Sequence, residues 1–91
     1  MNASEFLAAI RQLGAAAELL AKAGPQDWRL DAFQLLATFR RYDNAGLGSD
    51  AIETSNDELF VRTAQAALAM AGRNEFAAAH ALLEQARSLL R

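Results

Sequence analysis

His80 and Glu84 are the residues whose types and spacing could do acid–base chemistry. They lie four positions apart, which places them on one helix face within reach of each other. An imidazole beside a carboxylate can act as a general base. His80 is the single histidine, and no serine, cysteine or second base is placed to work with the pair. We therefore predict that the protein is not an enzyme and has no cofactor or metal site. A small enzyme that uses His80 and Glu84 is the remote alternative.

A second candidate set combines aromatic and arginine side chains in the second quarter of the chain. It consists of Trp28, Phe39, Arg40, Arg41 and Tyr42. Aromatic residues and arginine dominate the binding energy of protein–protein interfaces. Aromatic side chains at helical spacing also fill hydrophobic cores, and core packing is the simpler explanation for these three. If the chain has a partner-binding surface, these five residues are the predicted one.

The overall composition excludes several classes of protein. The net charge of −2 lacks the basic excess of a nucleic-acid-binding protein. The chain has no cysteine, which rules out disulfides and thiolate metal sites. No segment approaches the ~20 apolar residues that a transmembrane helix needs. We therefore expect neither nucleic-acid nor membrane partners.

General features of the sequence also predict the cellular location and the source organism of the protein. Residues 1–5 lack the basic start of a signal peptide, and no long apolar stretch follows them, so we expect a cytoplasmic protein. Eight arginines against one lysine, with alanine at about a quarter of the residues, are typical of a bacterium with a GC-rich genome.

The size and alanine content predict a single domain, residues 1–91, with a thin core. Alanine favours helix but buries little area, at about 25 cal/mol per Å² of apolar surface. The few larger apolar side chains must therefore provide most of the drive to fold. A second copy of the chain could complete such a core, so a homodimer is one expectation.

Apolar periodicity and end signals predict four helices that would position these residues. Their expected bounds are about 3–23, 26–42, 56–71 and 75–90. The second helix is expected to bury one apolar stripe, which Leu36 and Phe33 widen: Trp28, Ala32, Leu35, Phe39 and Tyr42. Asn2 begins the first helix as its cap, and Gly24, in a left-handed conformation, ends it. Gly14 within that helix predicts a close helix crossing. Ser55 and Glu58 form a capping box for the third helix.

The breaks between helices predict two antiparallel hairpins separated by an irregular loop over 43–54. Gly72 is expected to stop the third helix, and Asn74 to cap the fourth. Counted from Asp43, Gly48 fits a calcium-binding loop. Ala45 and Leu47, however, stand where oxygen ligands are needed, and Thr54 stands where a bidentate glutamate is needed. We therefore expect no calcium site in this loop.

The C-terminal third, residues 57–91, resembles a tetratricopeptide repeat. The resemblance rests on the spacing of small and large residues around a polar turn: Ala67, Met70, Phe76, Ala79, Leu83 and Ala86. It departs from the family at Asn74, where glycine is usual, and in having no closing proline. Residues 6–42 show no second copy in phase. The resemblance implies a scaffold that binds peptides or proteins and carries no catalytic chemistry.

Together these observations predict an all-α protein of four helices, packed either as a bundle or as a repeat-like stack. The expected function is a non-enzymatic protein-interaction module, such as a small adaptor, chaperone or regulatory protein. The alternative is a self-assembling homodimeric subunit, so the expected partner is another protein or a second copy of the chain.

Overall fold

The computed structural model describes residues 1–44 and 54–90, and these residues form an all-α bundle. Four α-helices follow one another along the chain, and a 3₁₀ turn over Gln26–Trp28 precedes the second. They are α1 (Ala3–Ala23), α2 (Arg29–Asn44), α3 (Asp57–Gly72) and α4 (Phe76–Leu89). The predicted fold class is confirmed, and the packing is that of a compact bundle.

The helices pair as two antiparallel hairpins. Between α1 and α2, Arg11 lies 3.2 Å from Asp43 and Glu18 lies 3.7 Å from Arg40, so sequence numbers rise along one helix and fall along the other. Between α3 and α4, the Gln85 side-chain amide donates a 2.9 Å hydrogen bond to the hydroxyl of Thr63, which is buried. α1 also packs against α3, which joins the two hairpins.

The core is built from a few large side chains embedded in alanine. Phe6 of α1 stacks on Phe60 of α3, with ring centroids 5.7 Å apart. Phe6 also meets the edge of Tyr42 from α2. Seven fully buried alanines, whose methyl groups let two helices approach closely, also belong to the core: Ala16, Ala17, Ala32, Ala64, Ala67, Ala79 and Ala86. The thin core predicted from composition therefore works by close packing.

The starts of α1 and α3 follow the predicted chemistry, with one shift of position. The Asn2 side chain accepts a 2.8 Å hydrogen bond from the Glu5 backbone N–H, as expected for an N-cap. At α3 the cap is Asn56, which accepts from the Leu59 N–H at 3.0 Å. The predicted capping box at Ser55 is therefore wrong by one residue.

Gly24 and Asn74 each adopt a backbone conformation different from the predicted one. Gly24 is in an extended conformation, with φ −77° and ψ 174°, so the expected left-handed cap is wrong there. Glycine is still needed at this position, because a Cβ would lie 2.5 Å from the Leu20 carbonyl oxygen. Asn74 is the left-handed residue, with φ 60°. It ends α3 instead of capping α4, since the Glu75 N–H returns to the Met70 carbonyl at 2.9 Å.

Two further expectations concern Gly14 and the long loop. A Cβ at Gly14 would meet nothing within 4 Å, so no close helix crossing occurs there and that prediction is wrong. Of the predicted loop, Asp43 and Asn44 belong to α2. Thr54 forms an isolated antiparallel bridge with Leu90. The remainder of that loop, residues 45–53, lies outside the described residues, as does most of the rejected calcium-loop pattern.

Candidate functional site

The five residues predicted as a partner-binding surface do not lie on one surface. Phe39 is fully buried in the core, so it contacts α1 and cannot reach a partner. Trp28 and Tyr42 are half-buried against the core. They lie about 20 Å apart along the helix, at a rise of 1.5 Å per residue. Core packing, the simpler explanation, therefore accounts for Phe39, while Arg40 and Arg41 are exposed.

The outward face of α2 carries two large apolar side chains. Sequence reasoning missed the first and assigned the second to the core. Leu30 is 69% exposed and Phe33 is 57% exposed, the highest values among the large apolar residues described. They lie three positions apart and are therefore neighbours on the helix surface. Phe33 was expected to widen the core stripe of α2, and that expectation is wrong.

The helical period places three more exposed residues on this side of α2. Ala37 follows Leu30 after about two turns, and Arg40 and Arg41 follow Ala37. We call Leu30, Phe33, Ala37, Arg40 and Arg41 the α2 face. The signal for this face was present in the sequence: two large apolar residues stand out of phase with the core stripe, which runs through Trp28, Ala32, Leu35, Phe39 and Tyr42.

At the charged end of the α2 face, Arg40 forms an ion pair with α1. Glu18 lies 2.6 Å from the Lys22 ammonium and 3.7 Å from the Arg40 guanidinium. The hydrogen bond from Lys22 and its positive charge, with a smaller contribution from Arg40, hold the pKa of the Glu18 carboxyl below its usual range. Arg41 donates a 3.4 Å hydrogen bond to the Thr38 hydroxyl. Both guanidinium groups remain accessible to solvent, so the α2 face combines apolar and cationic character.

A second cluster lies at the other side of α2, where it meets α4. The His80 ring stacks on the Trp28 indole with centroids 5.1 Å apart and planes within 10°. Its Nε2 atom lies 3.4 Å from an Asp31 carboxylate oxygen. That nitrogen is shielded from solvent and has no hydrogen-bond partner among the described residues. Trp28 therefore fixes a ring whose buried polar atom is not satisfied.

Glu84 completes this cluster from the next turn of α4. One ligand atom each from Asp31, His80 and Glu84 lie within 4.8 Å of one another. A solvent-open groove of about 260 Å³ runs between α2 and α4, and both Asp31 and Glu84 line it. The predicted His80–Glu84 pair thus stands in a three-residue constellation. Sequence reasoning missed Asp31 because only the packing of α2 on α4 brings it near residues about fifty positions away.

Comparison with protein-family models, curated proteins and solved structures gives no match. The resemblance of residues 57–91 to a tetratricopeptide repeat therefore stays a prediction. Among the described helices, none combines the length and the apolar character that a bilayer crossing demands.

Proposed function

We propose that this chain is a non-enzymatic protein-interaction module that binds another protein through the α2 face. The observation that carries the proposal is the exposure of Leu30 and Phe33 side by side on one helix. Full burial of a leucine or phenylalanine side chain is favourable by about 1.5–3 kcal/mol. A partner that covers both residues therefore gains binding energy that the isolated bundle leaves unused.

The charges around this apolar pair define the chemistry of the partner. Arg40 and Arg41 lie at one end of the α2 face, and Arg29, which is also exposed, begins the helix. Arginine in such positions pairs with carboxylates and adds orientation more than affinity. The partner that fits is a protein surface, or an amphipathic helix, with an apolar centre and acidic residues at its rim.

Two other features support an interaction role. The repeat family that residues 57–91 resemble consists of peptide- and protein-binding scaffolds. The chain has no cysteine and so needs no oxidising compartment, which suits the bacterial cytoplasm that we propose as its location. The proposed surface keeps Arg40 and Arg41 from the predicted set. Leu30, Phe33 and Ala37 take the place of Trp28, Phe39 and Tyr42, which pack in or against the core.

Site-specific photocrosslinking tests this proposal directly. Benzoylphenylalanine is placed at position 33 of the full chain, and a matched control carries it at position 59, because Leu59 is also an exposed apolar residue, 39% accessible, on a different helix. We expect position 33 to yield a covalent adduct with one defined protein, identified by mass spectrometry, and position 59 to yield none. Equal labelling at the two positions, or no adduct at position 33, would contradict the proposal.

The mass of the adduct distinguishes an interaction module from a self-assembling homodimer. An adduct of twice the chain mass, together with a dimer in light scattering, would establish the self-assembling homodimer instead. For a distinct partner, the purified complex is then measured by calorimetry with Phe33→Ser and Arg40→Glu. We expect both variants to weaken binding and Leu59→Ser and Arg73→Glu to leave it unchanged. Circular dichroism checks that all four variants remain folded.

A further inference from the structure

The cluster between α2 and α4 has the residue types of a metal site. His80 and Glu84 project from the same side of α4 because they lie one turn apart. Asp31 reaches them from α2, and the three ligand atoms lie within 4.8 Å of one another. One imidazole nitrogen and two carboxylate oxygens suit first-row transition metals, since imidazole favours zinc, copper, iron and nickel.

The environment of the His80 nitrogen independently favours a bound cation. Nε2 is buried without a hydrogen-bond partner, although it lies 3.4 Å from the Asp31 carboxylate. A buried polar atom without a hydrogen-bond partner destabilises the folded state. A cation between the imidazole and the carboxylate would remove that destabilisation, because it accepts the nitrogen lone pair and neutralises the carboxylate charge.

We propose that Asp31, His80 and Glu84 bind a divalent transition-metal ion, with Zn²⁺ as the ion that fits best. Zinc binds histidine nitrogen and carboxylate oxygen at about 2.0–2.2 Å and is stable with three protein ligands and a water molecule. Calcium and magnesium are less suited because they require six or more oxygen ligands or near-octahedral geometry. The three ligand atoms lie up to 4.8 Å apart, so binding requires the two carboxylates to rotate toward the imidazole. Asp31 and Glu84 line a groove that is open to solvent, from which an ion can reach them.

Neighbouring side chains compete only weakly with an ion for the ligands of this site. Arg87 pairs with the Glu84 carboxylate, and both side chains are partly solvent-exposed. Ion pairs between solvent-exposed side chains contribute little to stability, so an incoming ion can displace the guanidinium. Trp28 stacks on the imidazole and holds its orientation. A bound ion would tie α2 to α4, two helices that otherwise touch little, independently of the α2 face and its partner.

The single tryptophan provides a direct readout. The full chain, freed of metal with a chelator, is titrated with Co²⁺ near neutral pH. Cobalt serves as the probe because its d–d absorption reports coordination and its unpaired electrons quench nearby fluorescence. We expect saturable binding of one ion per chain, with quenching of Trp28, and release of cobalt on addition of Zn²⁺. A rise in the melting temperature with Zn²⁺ is expected from mass action.

Matched variants decide whether these three residues form the site. We expect Asp31→Asn and Glu84→Gln to lower the Co²⁺ affinity at least about tenfold. Asp27→Asn and Glu75→Gln remove exposed carboxylates outside the cluster and should leave the affinity unchanged. His80→Gln also removes the stack on Trp28, so its result counts only when circular dichroism shows an intact fold. Non-saturable cobalt binding, or equal affinities for the cluster variants and their controls, would overturn the proposal.

Discussion

The first two helices differ sharply in how they use their apolar residues. α1 buries nine side chains, and α2 buries four. α1 packs against each of the other three helices, whereas α2 packs mainly on α1 and touches α4 through Asp31 and His80. Even so, α2 leaves two large apolar side chains, Leu30 and Phe33, in solvent.

The difference means that the residues which stabilise the bundle are not the residues available for recognition. A helix surrounded by others has little free surface, so its apolar residues are required for folding. A helix at the edge of the bundle has a free face, and apolar residues there add nothing to the stability of the isolated chain. The substitutions below test that separation, beginning with the largest expected effect.

Truncation of a core residue in α1 should have the largest effect. Leu13 is fully buried. Leu13→Ala should lower the free energy of unfolding by about 3 kcal/mol, because it loses apolar contacts and leaves a cavity. Phe33→Ala in α2 removes a larger side chain but should change stability by less than about 0.5 kcal/mol, since the ring is mostly in solvent. Urea denaturation measures both. Similar losses for the two variants would show that α2 is also a core helix.

A smaller loss is expected at the junction of α1 and α2. Gly24→Ala places a Cβ 2.5 Å from the Leu20 carbonyl oxygen and 2.7 Å from a Leu20 methyl carbon. The backbone must shift, at a cost of about 1–3 kcal/mol. The melting temperature and the denaturation midpoint should both fall. An unchanged midpoint would mean that the connection between the two helices adjusts freely.

The opposite sign is expected ten residues earlier in the same helix. A Cβ at Gly14 meets no atom within 4 Å. Gly14→Ala should therefore stabilise the chain by about 0.5–1 kcal/mol, because alanine reduces the entropy of the unfolded chain and favours helix. Gly24→Ala is the matched comparison. A lower melting temperature for Gly14→Ala would reveal a close neighbour at this position.

The smallest expected effect concerns Glu18 of α1, which pairs with Lys22 of the same helix and with Arg40 of α2. The lowered pKa of Glu18 means that its ion pairs stabilise the folded chain when the carboxyl is ionised. This contribution is complete above about pH 4.3, the usual glutamate pKa, and it disappears as the pH falls through the lowered value. The small difference in urea midpoint between wild type and Glu18→Gln should vanish in that range. A difference that is the same at neutral and acidic pH would exclude the ion pairs as its source.

Most of the fold could be predicted from the sequence, and the errors have local physical causes. The core stripe of α2 through Ala32, Leu35 and Phe39 was predicted correctly, because burial imposes the helical period on apolar residues. The helix ends were less predictable. A glycine can be required either for a left-handed conformation or for a close approach of other atoms. Gly24 is required for the close approach. Asparagine can cap a helix or adopt positive φ, and Asn74 does the latter.

The candidate site was less accessible to sequence reasoning than the fold. His80 and Glu84 could be paired because helical spacing is a local property. Asp31 could not be joined to them, because its place depends on how α2 docks against α4. The α2 face was only partly predictable from the sequence. Its apolar residues were visible as being out of phase with the core stripe, but Phe33 was assigned to the core.

The sequence by itself determined the four helices, the starts that asparagine caps and the apolar face of each helix, because these depend on interactions within a few residues. Only the tertiary structure decided which aromatic side chains are buried, which arginines remain accessible and which carboxylate meets the histidine. These properties depend on the distance between helices, and that distance is set where alanine methyl groups let the helices approach.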